Sequence, residues 1–329
     1  MAREAGVLSV CRMTTHHSGG DPDDAVISVT DLRMRYGSRD ALNGLGFEVF
    51  SGELFALLGP NGAGKTSTVE ILEGYRRRTG GQVRVLGADP WRAGPRWRAR
   101  IGVMLQETGP EPDLKVAECL RLYAGYYTDP WPADDLLEMT GLASVAGTRA
   151  TQLSGGQRRK LDLALALTGR PEVLFLDEPT TGFDPAARHD AWATIAALKH
   201  SGTTIILTTH YMEEAERLAD RVAVISGGTL ASQGPPGSLL ANQPVATITF
   251  TLPPGVAVTD LPDQLRQAAP GPADGSVTLS ASSPLPLLRV LAEWAEEGSY
   301  DLADLTVRRP SLEDAYLQLT MASETEVTR

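Results

Sequence analysis

Alternating apolar and polar side chains occupy residues 26–37 and 41–50, which is typical of two half-buried strands that pair as a hairpin. Further strands are predicted where the chain is apolar over only a few residues. Most of these segments are almost continuously apolar, as in buried strands of a parallel sheet. They comprise residues 53–58, 80–86, 101–105, 172–176 and 203–209.

Helical segments are predicted between these strands. Residues 113–146 carry helix-like apolar spacing that is interrupted by Asp129-Pro130-Trp131-Pro132. Ser154 is a good N-cap for the apolar helix that follows it, although two glycines in a first turn are costly. The other two predicted helices run from residue 65 to 75 and from about 185 to 199.

A second unit begins after Gly234-Pro235-Pro236-Gly237. Its predicted elements are strands at 246–252, 277–281 and 300–307, with a helix at 285–297. Ser311 and Asp314 form a capping-box pattern that opens a last helix. One face of that helix is apolar, and it packs on its own domain or makes a dimer or regulatory contact. The residues of this face are Leu312, Ala315, Tyr316 and Leu319.

Composition places the chain among ordinary globular proteins. Of 329 residues, 42% are hydrophobic and 22% charged, and no apolar run approaches the roughly 18 residues of a membrane-spanning helix. We expect a cytosolic protein, because the N-terminus lacks a secretory signal and Cys11 and Cys119 form neither a disulfide framework nor a metal site. The net charge of −11 argues against a nucleic-acid partner, yet it does not exclude ATP.

Residues 59–67, with the sequence GPNGAGKTS, fit the phosphate-binding pattern G-x-x-x-x-G-K-[ST] between a predicted strand and a helix. Glycines free the backbone N–H groups for phosphate oxygens, and the helix N-terminus favours negative charge. Lys65 would reach the outer phosphates, and the hydroxyl of Thr66 would bind Mg²⁺.

Other polar residues stand at strand ends, and each has an ordinary structural interpretation as well. Asp177 and Glu178 follow a buried strand, where one carboxylate would hold the Mg²⁺ shell and the other would accept a proton from water. Gln106 and His210 also end strands, and in isolation such residues are more often solvated or structural. Tyr36 is placed to stack on adenine or simply to pack.

The order of these motifs decides the interpretation. Tyr36, the loop at 59–67, Gln106, LSGGQ at 153–157, LFLDE at 174–178, TGFDP at 181–185 and His210 together resemble the ATP-binding subunits of ABC transporters. This resemblance implies an α/β fold, namely a P-loop NTPase cassette with a mixed sheet core, an antiparallel β subdomain and a helical insertion at about 107–152. The cassette would span 26–240, between a disordered tail at 1–25 and a small α+β domain at 245–320, with a tail at 321–329.

The resemblance also implies a role for each motif position. Tyr36 would stack on adenine, and Asp184 would communicate across a head-to-tail dimer. The phosphates of ATP would be held by Gly59, Pro60, Asn61, Gly62, Ala63, Gly64, Lys65, Thr66 and Ser67. The ATP of the partner subunit would be bound by Ser154, Gly155, Gly156 and Gln157.

Catalytic roles follow in the same way. Glu178 would polarise the attacking water, His210 would contact the γ-phosphate, and Lys65 would neutralise charge. Mg²⁺ would be held by Thr66, Gln106 and Asp177, with Gln106 also coupling to the membrane partner. Phe183 stands where the family usually has leucine.

Residues 309–317, RPSLEDAYL, resemble the C-terminal signature of ABC-2 type exporter ATPases, the group that includes daunorubicin-type resistance pumps. The resemblance implies an ATPase that uses ATP and Mg²⁺, pairs with an identical copy and drives a separately encoded permease from the inner face of the membrane. The cargo would be a drug, an antibiotic or a lipid-like molecule. An importer ATPase remains an alternative, as does a soluble ABC protein that acts on ribosomes or DNA.

Overall fold

The computed structural model describes residues 25–104, 111–239, 246–268, 276–281, 283–302, 304–308 and 311–317. Gln106 lies outside the described residues, and so do residues 1–24 and 321–329 of the two predicted tails.

Twelve strands are present in these ranges. They are β1 (Ala25–Tyr36), β2 (Arg39–Phe50), β3 (Leu54–Leu58), β4 (Gly80–Val85), β5 (Ile101–Met104), β6 (Val173–Asp177), β7 (Thr204–Thr208), β8 (Arg221–Ser226), β9 (Thr229–Gly234), β10 (Ala246–Thr251), β11 (Ser276–Ala281) and β12 (Thr306–Arg308).

The α-helices of the same ranges lie between and after these strands. They are α1 (Lys65–Leu72), α2 (Pro95–Arg98), α3 (Val116–Ala124), α4 (Ala133–Met139), α5 (Gly155–Leu167), α6 (Pro185–His200), α7 (Met212–Leu218), α8 (Pro236–Leu239), α9 (Asp263–Ala268) and α10 (Pro284–Gly298). Residues 312–317 are helical as well.

A six-stranded sheet with the order β5-β6-β7-β3-β8-β9 forms the centre of the molecule. All neighbours in it are parallel except the β8–β9 pair. Strands β3, β6 and β7 are buried along their whole length, which explains why their sequences are largely apolar. Because β6, β7 and β3 are adjacent and parallel, the residues that follow them meet at one edge of the sheet.

The predicted hairpin forms a separate antiparallel sheet with the order β2-β1-β4. Its apolar face packs on the central sheet, where the rings of Phe47 and Phe55 stack with centroids 5.2 Å apart. A second core lies between the central sheet and helices α3, α4, α5 and α6, and Leu120, Leu136 and Trp192 are buried in it. The predicted mixed sheet, antiparallel subdomain and helical insertion are therefore all present.

The C-terminal residues form a third sheet with the order β11-β10-β12. Helices α9 and α10 cover it, and Ile248, Phe250, Leu279 and Leu291 fill a small core of its own. The strand predicted at 300–307 is confined to 306–308, and Ser299 ends α10 in a left-handed conformation with φ 51°.

The helical residues 312–317 contribute to a different core. Leu312 is completely buried together with Ala56 and Leu58 of β3, Ala215 of α7 and Val224 of β8. The predicted capping box is present, since the backbone N–H of Ser311 donates to Asp314 Oδ2 at 2.8 Å. Leu312 and Tyr316 on the apolar face of this helix thus complete a core beside the central sheet, a packing that neither sequence-based alternative anticipated. Leu319, which was predicted for the same face, lies outside the described residues.

Candidate functional site

The predicted phosphate loop joins β3 to α1, and two of its glycines are required by close packing. A Cβ at Gly59 would lie 2.4 Å from the carbonyl oxygen of Ile225. Gly64 has φ 105°, and a Cβ there would lie 2.8 Å from the carbonyl oxygen of Ala41. Strands β8 and β2 therefore pack closely against the two ends of the loop and determine its backbone path.

Lys65 turns back onto this loop. Its Nζ donates hydrogen bonds to the carbonyl oxygens of Gly59 at 2.6 Å and Pro60 at 3.2 Å. Burial lowers the pKa of Lys65, and the nearby carboxylates Glu178 and Asp177 oppose that shift. The ammonium group is thus held at the loop, where it can neutralise a phosphate.

Asp177 ends β6 and is almost entirely buried. Burial raises the pKa of Asp177, and a hydrogen bond that the Thr208 hydroxyl donates to its Oδ1 acts in the opposite direction. Thr66 is exposed and lies next to Lys65 in the first turn of α1. A hydroxyl and a carboxylate fit Mg²⁺, which prefers oxygen ligands and takes most of the others from phosphates and water.

Glu178 follows in a strained backbone conformation with φ 49°. Its N–H donates to the carbonyl oxygen of Thr208 at 3.0 Å, which holds this conformation in place. At the carboxylate, Oε2 accepts a hydrogen bond from the Thr181 hydroxyl at 3.2 Å and lies 3.4 Å from Nδ1 of His210. A non-glycine residue with positive φ is uncommon and concentrates at functional sites.

Tyr36 stands at the end of β1, beside the helix that leaves the loop. Its hydroxyl lies 3.0 Å from Oγ of Ser67. The guanidinium carbon of Arg76 lies 5.2 Å from the centroid of the Tyr36 ring, a distance that allows a cation–π contact. The ring is 40% exposed, so one part of it remains open to a ligand.

The predicted signature begins α5, and Ser154 caps it as expected. Ser154 Oγ accepts a hydrogen bond from the N–H of Gln157 at 3.2 Å, and Gln157 Oε1 accepts one from the N–H of Ser154 at 3.0 Å. Within the described residues, no hydrogen bond or ion pair links residues 154–157 to the phosphate loop. The structure therefore brings Tyr36, the loop, Asp177, Glu178 and His210 together but leaves the signature apart.

The signature glycines are not required by their own chain. A Cβ at Gly155 would meet no atom within 4 Å, and at Gly156 it would meet only the Phe183 ring at 3.9 Å, an ordinary contact. Asp184, next to that ring, caps α6 by accepting a hydrogen bond from the N–H of Ala187 at 2.9 Å.

Sequence analysis missed a buried polar network beside the site. Oε1 of Glu214 in α7 accepts hydrogen bonds from the Thr180 hydroxyl and from Nε1 of Trp192, both at 2.9 Å. Glu214 is completely buried, and burial raises its pKa. The network ties the segment after Glu178 to the helix after His210. Its only signal in the sequence was a carboxylate on the buried side of a short helix.

Comparison with known proteins shows which proteins this chain resembles. Residues 42–181 match the family described as ABC transporter. Residues 246–311 match the family described as ABC transporter domain-containing protein-like, C-terminal domain. The Nod factor export ATP-binding protein I of Ralstonia nicotianae is 38% identical over 305 residues, which cover 90% of this chain and 94% of that protein. The daunorubicin resistance ATP-binding protein DrrA3 of Streptomyces coeruleorubidus is 37% identical over 313 residues, covering 90% and 96%.

Solved structures share the fold of the cassette. An ATP-binding subunit of an ABC transporter superposes with a TM-score of 0.60 at 26% identity and covers 66% of this chain and 92% of its own. A dimeric ATP-binding cassette in a post-hydrolysis state bound to ADP and Pi has a TM-score of 0.59 at 22% identity and covers 64% and 98%.

Proposed function

Because this chain belongs to the ABC transporter family of ATP-binding subunits, we propose that it hydrolyses ATP with Mg²⁺ and powers an exporter. The observation that carries the proposal is the position of Glu178. Its carboxylate lies at the edge of the sheet where the phosphate loop, Asp177 and His210 also meet.

Each of these residues has a defined task in the proposed reaction. Glu178 accepts a proton from the attacking water, while Thr181 and His210 hold its carboxylate in place. Lys65 and the loop N–H groups stabilise the negative charge on the transferred phosphoryl group. Thr66 and Asp177 would hold Mg²⁺, which when bound would further neutralise that charge. Gln106 is proposed as an additional ligand of the ion.

The signature completes a site on a second copy of the chain in this proposal. Gly155 has no neighbour within its own chain that demands glycine, and the N-terminus of α5 carries free N–H groups. Both features suit a phosphate of a nucleotide bound to the partner subunit. We therefore infer a head-to-tail homodimer with ATP between the loop of one subunit and the signature of the other, and Asp184 near the contact.

Export is the direction favoured by the relatives, whose names refer to Nod factor export and daunorubicin resistance. None of the helices in the described ranges is long and apolar enough to span a membrane. A separate permease would accordingly supply the pathway, and this subunit would bind it at the inner face of the membrane. By analogy with those relatives, the cargo is a drug-like or lipid-like molecule.

A Glu178→Gln variant tests the proposal. It keeps the size of the side chain but removes the base, so steady-state phosphate release should fall by about 100-fold or more while ATP binding persists. Glu172→Gln is the matched control and should retain turnover, because Glu172 is exposed and precedes the strand that Glu178 follows. Turnover near the wild-type rate in Glu178→Gln would show that the assigned base is wrong.

A further inference from the structure

An arginine-rich segment of the chain follows helix α1. Between residues 75 and 100 the sequence contains eight arginines and one acidic residue, Asp89, although the whole chain has a net charge of −11. Such a local excess of positive charge in an acidic protein marks a binding surface for anions.

An open cavity of about 360 Å³ lies within this segment, between the turn that precedes β4 and the turn at Pro90–Arg92. Its lining is mainly polar and includes the side chains of Arg77, Arg78, Trp91 and Arg92. We call this feature the arginine cavity.

One of its guanidinium groups is fixed in place. Arg78 donates two hydrogen bonds of 2.9 Å to the carboxylate of Asp89 and a third, of 3.0 Å, from Nε to the carbonyl oxygen of Gly81. Asp89 also accepts a hydrogen bond from the backbone N–H of Trp91 at 3.1 Å. These contacts join the two turns that form the walls of the cavity and neutralise the one carboxylate within it.

Of the other two arginines of the cavity, Arg92 interacts with Asp89 through space without a direct ion pair. Arg77 and Arg92 are exposed and make no ion pair in the described part of the chain. Guanidinium groups bind phosphate oxygens in a bidentate manner, and two of them at the mouth of one cavity suit a phosphate ester.

Trp91 indicates the source of that phosphate. Its side chain is 45% exposed beside the cavity, although a large exposed aromatic ring is unfavourable in water. Tryptophan is enriched at membrane–water interfaces, where its ring lies among headgroups, and arginines are attracted there by anionic lipids. We propose that the arginine cavity binds the phosphate headgroup of an anionic phospholipid, so that this subunit contacts the bilayer directly as well as through its permease.

The inference rests on the proposed function in one respect, because the permease places this subunit beside a bilayer. Its test requires neither permease nor ATP turnover, so each idea can fail alone. Purified full-length protein is mixed with vesicles of phosphatidylglycerol and phosphatidylcholine in equal parts, or of phosphatidylcholine only, and sedimented. Mg²⁺ and ADP are present so that the phosphate loop is occupied.

Wild-type protein should bind the anionic vesicles and not the neutral ones. The double variant Arg77→Gln/Arg92→Gln should bind them about 30-fold more weakly, since each basic residue near an anionic surface contributes roughly fivefold. The matched control Arg266→Gln/Arg289→Gln removes two charges from the C-terminal domain, on α9 and α10, and should bind like wild type. Equal loss in both variants, or no binding by wild type, would overturn the proposal.

Two further measurements separate the lipid from other anions. Brominated lipids in the anionic vesicles should quench tryptophan fluorescence, and most of that quenching should disappear in Trp91→Phe. Excess soluble glycerol phosphate should not release the protein from the vesicles. Quenching that persists in Trp91→Phe, or release by glycerol phosphate, would contradict insertion at the bilayer surface.

Discussion

Nδ1 of His210 lies 3.4 Å from Oε2 of Glu178, although 31 residues of sequence lie between them. The parallel pairing of β6 with β7 brings them together, because each residue comes just after one of these strands. The Thr208 hydroxyl reinforces the pairing by donating a hydrogen bond to Asp177. The imidazole therefore contacts the proposed base and faces the same edge as the phosphate loop.

Replacement of His210 by alanine should reduce phosphate release by about 100-fold, because the variant loses a group that orients Glu178 and stabilises phosphoryl charge. Binding of ATP should change little, and steady-state kinetics with equilibrium binding would separate the two effects. His200→Ala, on the exposed end of α6, is the control. A similar loss in both variants would indicate that the His210–Glu178 contact has no catalytic role.

A Gly155→Ala substitution should separate folding from assembly. The new methyl group meets no atom of its own chain within 4 Å, and alanine has the higher helix propensity, so stability should rise by up to about 1 kcal/mol. Phosphate release should nevertheless fall by about 100-fold, because the methyl group obstructs the N–H groups that face the partner's ATP.

Gly147 provides the comparison for this substitution, since a Cβ there also meets nothing within 4 Å. Gly147→Ala should keep full turnover. Urea unfolding and ATP-dependent dimerisation, followed by size-exclusion chromatography, would check both variants. Full activity in Gly155→Ala would argue against a composite site between two subunits.

Leu312→Ala should destabilise the ATP-binding cassette itself. Leu312 is completely buried among residues of β3, β8 and α7, and removal of a buried leucine side chain costs about 2–5 kcal/mol. Leu317→Ala makes the same change at a position that is 49% exposed and should cost less than about 1 kcal/mol. Urea unfolding of both variants would measure the two stability costs, with the nucleotide affinity as a second measurement. Equal costs would contradict the packing described.

Glu73 gives the free energy of unfolding a distinctive pH dependence. The residue ends α1, and its Oε1 has no hydrogen-bond partner within the described residues. Burial, with smaller contributions from Asp177 and Glu70, raises the pKa of Glu73 from 4.5 to about 8. Between these values the folded protein retains a proton that the unfolded chain has lost. Stability should therefore fall as the pH rises through this range and become constant above it.

A Glu73→Gln variant removes this dependence. Relative to the variant, the wild type should lose about 1.4 kcal/mol per pH unit between pH 5 and pH 7.5. Urea unfolding of nucleotide-free protein in EDTA at several pH values would measure the difference. Glu70→Gln, on the same helix and ion-paired with Arg76, is the control. Parallel curves for wild type and Glu73→Gln would refute a buried, protonated carboxyl group.

The sequence was sufficient for the cassette because its signals are local. Loop residues 59–67 need particular glycines, and the strands β3, β6 and β7 are buried at every position and largely apolar, so both could be recognised from short segments. The N-cap Ser154 and the capping pair Ser311–Asp314 were predicted for the same reason, since the residue that each serine contacts lies three positions away.

Features that depend on distant contacts could not be predicted in this way. The bonds of Glu214 to Thr180 and Trp192 join residues from three segments, and α7 gives no sign in sequence of which partners it meets. Periodicity identified the apolar face around Leu312, but it contains no information on which surface that face covers. The strand expected from residue 300 was too long, because only residues 306–308 pair with β10.

The contact between Leu312 and strands β3 and β8 also affects biosynthesis. These strands leave the ribosome long before residues 312–316 do, and domains generally begin to fold in that order. Until the later residues emerge, the nascent cassette exposes an apolar patch around Ala56 and Val224 that chaperones can bind. A message cut short before codon 312 would therefore yield a product that contains every nucleotide-binding motif but has an unfinished core, a natural substrate for proteolysis.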